Sequence, residues 1–358
     1  VKKNLKTFAA FSILPQILLV KWWGNYPDLV EKYYSEGLYP VLSKFLRTLF
    51  GWIPFSVGDI FYTILVLSLL RYLWVRGKLL FLKPRETLQH VGITLSIAYF
   101  IFHLFWGMNY YRLPINEKLG FKTEYTKEEL VNFTLNTVKE LNYLQVILTQ
   151  DSTVPVRIPY NINEIYKKTF DGYRNAATIF ENLKYTKPSL KASIYSTPLT
   201  YMGYGGYLNP FTNEAQVNTI VPKLRLPSIS AHEIGHQIGY SSESATNFIG
   251  LLVTYGSNDN YFKYASLFHV LGYCLSDLKK IDDELHSIIY NKLNSGVKIN
   301  YQEIAVFWKQ YQNPMEPVFK WIFDAFLKSN NQNQGIESYN AVVGLLVNFY
   351  KDYWIHVK

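Results

Sequence analysis

Residues 227–243 read Pro227-Ser-Ile-Ser-Ala-His232-Glu233-Ile-Gly-His236-Gln-Ile-Gly239-Tyr-Ser-Ser-Glu243. On an α-helix, side chains four apart lie on one face, so His232 and His236 can offer two imidazole nitrogens to a single ion. Zinc takes such a pair at about 2.0–2.1 Å. Glu233 follows the first histidine, where a carboxylate can take a proton from water and return it to a leaving amine. Pro227 and Ser228 suit a helix start and Gly239 a stop, so the context predicts a short helix. The competing reading is an amphipathic helix with two satisfied core histidines.

A catalytic zinc needs a third protein ligand and an open position. One metal-hydrolase pattern places it six residues after the second histidine, but Ser242 stands there and is a poor ligand. Another takes a glutamate from the next helix. Glu243 is the sole carboxylate between His236 and Asp259, and it opens a segment whose Ala245, Phe248, Ile249 and Leu252 recur at helical spacing. Asn247, one turn on, is placed to orient the Glu243 carboxylate. The competing role for Glu243 is to complement the helix dipole at an N-terminus.

The 358 residues are 49% hydrophobic and 18% charged, enough for a membrane region plus one globular domain and wrong for a disordered chain. Three apolar segments fall in the first third, at about 5–23, 57–75 and 91–110. In the first, Pro15 interrupts a short apolar run, and Lys21-Trp22-Trp23 reads as an interfacial belt of a retained anchor. The net charge of +9 is concentrated in flanks of these segments rather than in a stripe, so nucleic acid is not the expected partner. Arg71, Arg76, Lys78, Lys83 and Arg85 crowd the link between the second and third segments. Together with Lys2, Lys3 and Lys6 they predict that link inside, and residues after Arg112 outside, a cytoplasmic membrane. Cys274 is the single cysteine, so no internal disulfide can form.

The domain expected over residues 113–358 opens with a capping box, Thr126 with Glu129, ahead of a helix to about Leu148. A second helix is expected over Asn161 to Leu183, with Gly172 inside it. From Ser193 to Val221 the pattern predicts two short strands and a turn, the better one over Ala215 to Val221. From Ser228 onward the text is helical, with breaks at Gly256–Asn260, Asn294–Asn300, Asn313-Pro314 and 330–334. Gly205, Gly206 and Tyr207 precede the motif helix, where an extended peptide substrate would pair. His269, His286, Tyr240, Tyr255 and Tyr339 are candidates to stabilise an oxyanion.

Two resemblances follow from these motifs. Glu243-Ser-Ala-Thr-Asn247 resembles the Glu-x-x-Ala-Asp/Asn element of Glu-ligand zincins, with Thr246 in place of the usual Ala. Three apolar spans, Pro54-Phe55-Ser56-Val57-Gly58-Asp59, Gly205-Gly206-Tyr207 with Pro210-Phe211-Thr212 and Glu214, and the His-Glu-x-x-His element resemble an uncharacterised bacterial membrane family, a domain of unknown function. That family's Glu-x-Glu-Ala-Asn run has a second Glu where this chain has Ala245, a departure that bears on the third ligand. The resemblance implies an α+β, mostly helical zincin-like metallopeptidase domain with a small sheet, behind three transmembrane helices of a bacterial inner membrane. Zn2+, a peptide or protein substrate and the lipid bilayer are the implied cofactor and partners. The alternatives are an inactive zincin-fold scaffold and, less compatible with three spans, a transporter component. A phosphatase fused after Leu119 should be active outside the cell and one fused after Lys83 silent; the reverse pattern rejects the orientation.

Overall fold

The computed structural model describes residues 2–332, 335 and 341–353. The chain forms two compact units, the first made of Val1–Leu113 with Asn209–Glu214, the second of Pro114–Leu208 with Ala215–Lys358.

Among the described residues of the first unit three helices are long and apolar enough to cross a membrane, Leu5–Gly24, Val57–Lys78 and Pro84–Phe105. The first is built of two pieces, Lys2–Phe11 and Ile13–Gly24. Pro15 falls in the first turn of the second piece, where its missing N–H leaves no helical bond unmade. The third helix differs from the expected 91–110. It starts at Pro84, whose fixed φ suits a first helical position, and ends at Phe105 because Trp106 leaves helical geometry at φ −156°, ψ −54°. Polar Arg85, Glu86 and Gln89 hide that start from a hydropathy reading. Small and polar side chains join the first and third helices: Ser12 and Ser96 hydroxyls lie 2.7 Å apart, Gln16 donates to Ser96 at 2.8 Å, and Gln89 to Thr7 at 2.9 Å.

Between the first and second spans, Val30–Leu38 is a π-helix. It carries Glu31, which Arg112 grips from two nitrogens at 2.9 and 2.6 Å, both partners being nearly buried. The turn Asn209–Glu214 contributes a further anchor. Asn209 Oδ1 accepts from the backbone of Phe211 and Thr212 at 2.9 and 3.2 Å, forming an Asx turn. Asn213 accepts from Arg47 at 3.0 Å and donates to the Tyr39 hydroxyl at 2.9 Å. Glu214 accepts from the backbone N–H groups of Val57 and Gly58, so its carboxylate caps the start of the second apolar helix. Two of the motifs quoted above, around Pro54–Asp59 and Pro210–Glu214, therefore meet.

The second unit is mostly helical with a three-stranded sheet. The capping box of Thr126 and Glu129 opens the helix Lys127–Thr149, and a second box, Asn161 with Glu164, opens Ile162–Ala176. That helix stops seven residues before Leu183. Gly172 inside it is a packing residue, since a Cβ would stand 3.1 Å from the Val253 carbonyl. The strands are β1 (Leu190–Ala192), β2 (Gly206–Asn209) and β3 (Glu214–Val217), in the order β1-β3-β2. β1 pairs parallel with β3 in the register Leu190↔Ala215 and Ala192↔Val217. β1 lies outside the expected strand region, and the helix Ser196–Met202 lies inside it. Both are too short for periodicity to separate them.

Three helices follow one another through the core, Leu226–Gln237, Glu243–Tyr255 and Asn260–Ile281. Fully buried Phe248, Ile249, Ile234, Phe262 and Tyr264 lie on them. The break expected at Asn294–Asn300 is shorter, because Ser295 already starts the helix Ser295–Gln310. Cys274 is fully buried on the third of the core helices, and burial pushes its thiol up to about 12, with Asp277 adding and a bond from Thr134 opposing. A thiolate is the reactive form. The native protein should therefore resist a thiol reagent near neutral pH and take up one equivalent only after unfolding; fast labelling of the native state contradicts this packing.

Candidate metal centre

The helix Leu226–Gln237 carries His232, Glu233 and His236 and ends where sequence predicts a stop. Gly239 adopts φ +98°, a conformation side chains resist. The reversal brings the Tyr240 carbonyl under the preceding turn, 2.7 Å from His236 Nδ1. His232 Nδ1 lies 2.8 Å from Asn247 Oδ1. Since both acceptors are oxygens without a proton to give, each ring donates from Nδ1 and turns its Nε2 toward Glu243. Asn247 therefore holds a histidine, where the sequence suggests it would hold Glu243.

Both Nε2 atoms face one oxygen. Glu243 Oε2 is 3.3 Å from His232 Nε2 and 3.7 Å from His236 Nε2. It is buried and makes no hydrogen bond of acceptable geometry. One donor atom from each of the three residues lies within 4.8 Å of the others. Tetrahedral zinc with bonds of about 2.0–2.1 Å separates its ligands by roughly 3.3–3.4 Å, so the donor set fits such an ion. Ser242, the other position considered, turns its hydroxyl to Ser244 at 2.9 Å.

Two close approaches set this arrangement. A Cβ on Gly250 would lie 2.9 Å from the backbone nitrogen of His232, and one on Gly235 would lie 2.7 Å from Thr246 Cγ2. The motif helix and its successor can thus touch along their backbones, which carries Glu243 and Asn247 to the histidines. Tyr173 braces the motif helix by donating to the Ala231 carbonyl at 2.6 Å, and Gln237 donates to the Ser189 carbonyl at 2.9 Å.

Charge follows geometry. Burial lowers the basicity of His236, but Glu243 outweighs it and raises this imidazole to about 9. Burial opposes ionisation of Glu243, yet His236 and His232 hold its carboxyl far below the usual range. Glu233 moves the other way: burial raises it against the pull of the two histidines. A carboxyl raised toward neutrality is suited to accept and give up a proton. Its Oε2 is buried with no partner.

Gly206 lies against this carboxylate and Gly205 against Ile229. A Cβ on Gly206 would stand 2.6 Å from Glu233 Oε1, and one on Gly205 would stand 2.9 Å from Ile229 Cδ1. Asn218 fixes their loop, donating through its side chain to the Tyr204 carbonyl at 3.0 Å and through its backbone to that of Gly205 at 2.8 Å. Gly206 and Tyr207 open β2, the strand at one end of the three-stranded order, and Tyr207 is half-buried.

The oxyanion candidates scatter. Tyr240 takes a bond from Asn182, Tyr255 donates to Glu140, and His286 stacks on Tyr290. Tyr339 lies outside the described residues. Tyr204 and Tyr273 instead sit within electrostatic reach of Glu243, and burial with that carboxylate raises both phenols, while Arg225 opposes the rise at Tyr273. Neither stands out in the sequence, because nothing distinguishes two tyrosines among 30 without tertiary contacts.

A family described as "Protein of unknown function (DUF3810)" matches residues 34–347. No curated protein and no solved structure matches the chain. Gly206→Ala should displace the Glu233 carboxylate while sparing the histidines, and Gly250→Ala should cost about 1–3 kcal/mol of stability through overpacking. Unfolding midpoints of the two variants and a crystal structure of Gly206→Ala check these outcomes.

Proposed function

The chain belongs to the DUF3810 family, and we propose that it is a membrane-anchored zinc-dependent peptidase with a zincin-like catalytic domain. The observation that carries this reading is the convergence of His232, His236 and Glu243, whose donor atoms lie within 4.8 Å of one another while Asn247 and the Tyr240 carbonyl hold the two rings by Nδ1. His232, His236 and Glu243 would hold the ion and Asn247 would orient His232. Zinc bound there would polarise a substrate carbonyl and acidify a water. Glu233 accepts a proton from water and passes it to the amine as the peptide C–N bond breaks. Gly205, Gly206 and Tyr207 would present backbone to an extended substrate, and Gly206 keeps a side chain out of the space between β2 and Glu233. The basic link between the second and third apolar helices supports a domain on the outer face of a bacterial inner membrane.

Purified full-length protein should contain about one zinc per chain by elemental analysis. Glu233→Gln should keep the metal and slow peptide hydrolysis by about 10²–10⁴-fold, the usual share of a general base. Glu243→Ala should lose metal as His236→Ala does, Ser242→Ala should do little, and Asn247→Ala should weaken binding by about 10–100-fold. Full zinc occupancy in Glu243→Ala would remove the third ligand from the scheme. Metal without turnover in the native protein would favour an inactive scaffold.

A further inference from the structure

The face of the motif helix that bears the histidines continues toward its N-terminus. Seven residues before His232, two turns back, stands Arg225. Its backbone is helical at φ −86°, ψ −23°, so it projects within about 20° of His232 and roughly 10 Å along the axis. The guanidinium has no hydrogen bond or ion pair among the described residues, and its Nε is buried without a partner. An unpaired cation in such a place is costly, by several kcal/mol in typical cases, and calls for an anion.

Other polar groups around it are also unengaged. Ser228, between Arg225 and His232 on the same side of the helix, has a buried hydroxyl with no partner. His269 and Tyr273 lie one turn apart on the helix Asn260–Ile281 and within electrostatic reach of Arg225. His269 Nε2 is buried and unpartnered as well. Burial and the neighbouring Arg225 hold this imidazole neutral, leaving Arg225 as the one cation of the group. Tyr273 also lies within electrostatic reach of Glu243. One positive charge in a planar fork, beside hydroxyl donors, matches a monoanion better than a dianionic phosphate.

We propose that Arg225, Ser228, His269 and Tyr273 form a subsite for the terminal carboxylate of a peptide, so that this centre cleaves near the carboxyl end of its substrate. The proposal rests on the peptidase reading above. A peptide advances about 3.3–3.6 Å per residue, so a separation of about 10 Å places the scissile bond within three residues of the end. Water supplies a hydroxyl to the acyl carbon and a proton to the leaving amine, and the released fragment is the one whose carboxylate Arg225 holds.

Binding separates this subsite from catalysis. N-acetyl-trialanine and its C-terminal amide would be titrated by calorimetry into the full-length, zinc-loaded Glu233→Gln protein in detergent, with and without Arg225→Gln. The acid should bind about 10–100-fold more tightly than the amide, and Arg225→Gln should erase the difference, as loss of a charge-assisted bond does. Arg225→Lys should restore part of it, and Tyr273→Phe should reduce it, with unfolding midpoints showing that each variant is folded. Equal affinity for acid and amide, or no binding of either, overturns the subsite. Discrimination that depends on Arg225, in a protein whose native form hydrolyses no peptide, upholds the subsite and rejects the peptidase reading.

Discussion

The candidate centre depends on how closely two helices approach. Gly250 against the backbone of His232 and Gly235 against Thr246 remove the side-chain layer that normally separates helix axes by about 8–10 Å. Everything that reaches the histidines from the second helix does so because of this contact. Glu243 stands in its first turn and Asn247 one turn later, so a shift of one ångström would break both Asn247–His232 and the convergence on Glu243 Oε2. Thr246 adds a bond to the Tyr240 carbonyl at 3.1 Å, the atom that also holds His236. A single turn thus serves both helices.

The electrostatics describe a buried cluster held together by opposite charges. Glu243 is kept ionised in a buried place by two imidazoles, and His236 is kept protonated by Glu243. An arriving divalent ion would take over that pairing and expel the imidazolium proton, so metal uptake would be coupled to proton release. Glu233 sits beside this cluster without sharing its bonds, which leaves its carboxylate available to other groups.

What the sequence reveals is local. The helical spacing of His232 and His236, the stop at Gly239 and the capping box at Thr126 are all readable, because each depends on neighbours within a turn or two. Glu243 is readable by elimination. What Asn247 touches is not, since its distance to His232 is set by two glycines whose role appears only when the helices meet. Arg225 and Tyr273 are invisible for the same reason. The third apolar helix is misjudged at its start because hydropathy sees Arg85 and Glu86 but not that Pro84 favours helix initiation. β1 and the helix Ser196–Met202 are too short to carry a period, and their states come from packing.

Glu214 carries a consequence for how the protein is made. The N–H groups it caps belong to Val57 and Gly58, 157 and 156 residues earlier in the chain. At a synthesis rate of about 5–20 residues per second, those donors emerge roughly 8–30 s before their acceptor exists. Throughout that interval Arg47 and Tyr39 also lack Asn213. The first unit is therefore a nascent scaffold with open valences, completed by a passing loop rather than by its own contiguous sequence. Its maturation is timed by translation of a segment far downstream, and a chain released early would leave the ribosome with its apolar helices made and the Glu214 and Asn213 contacts missing.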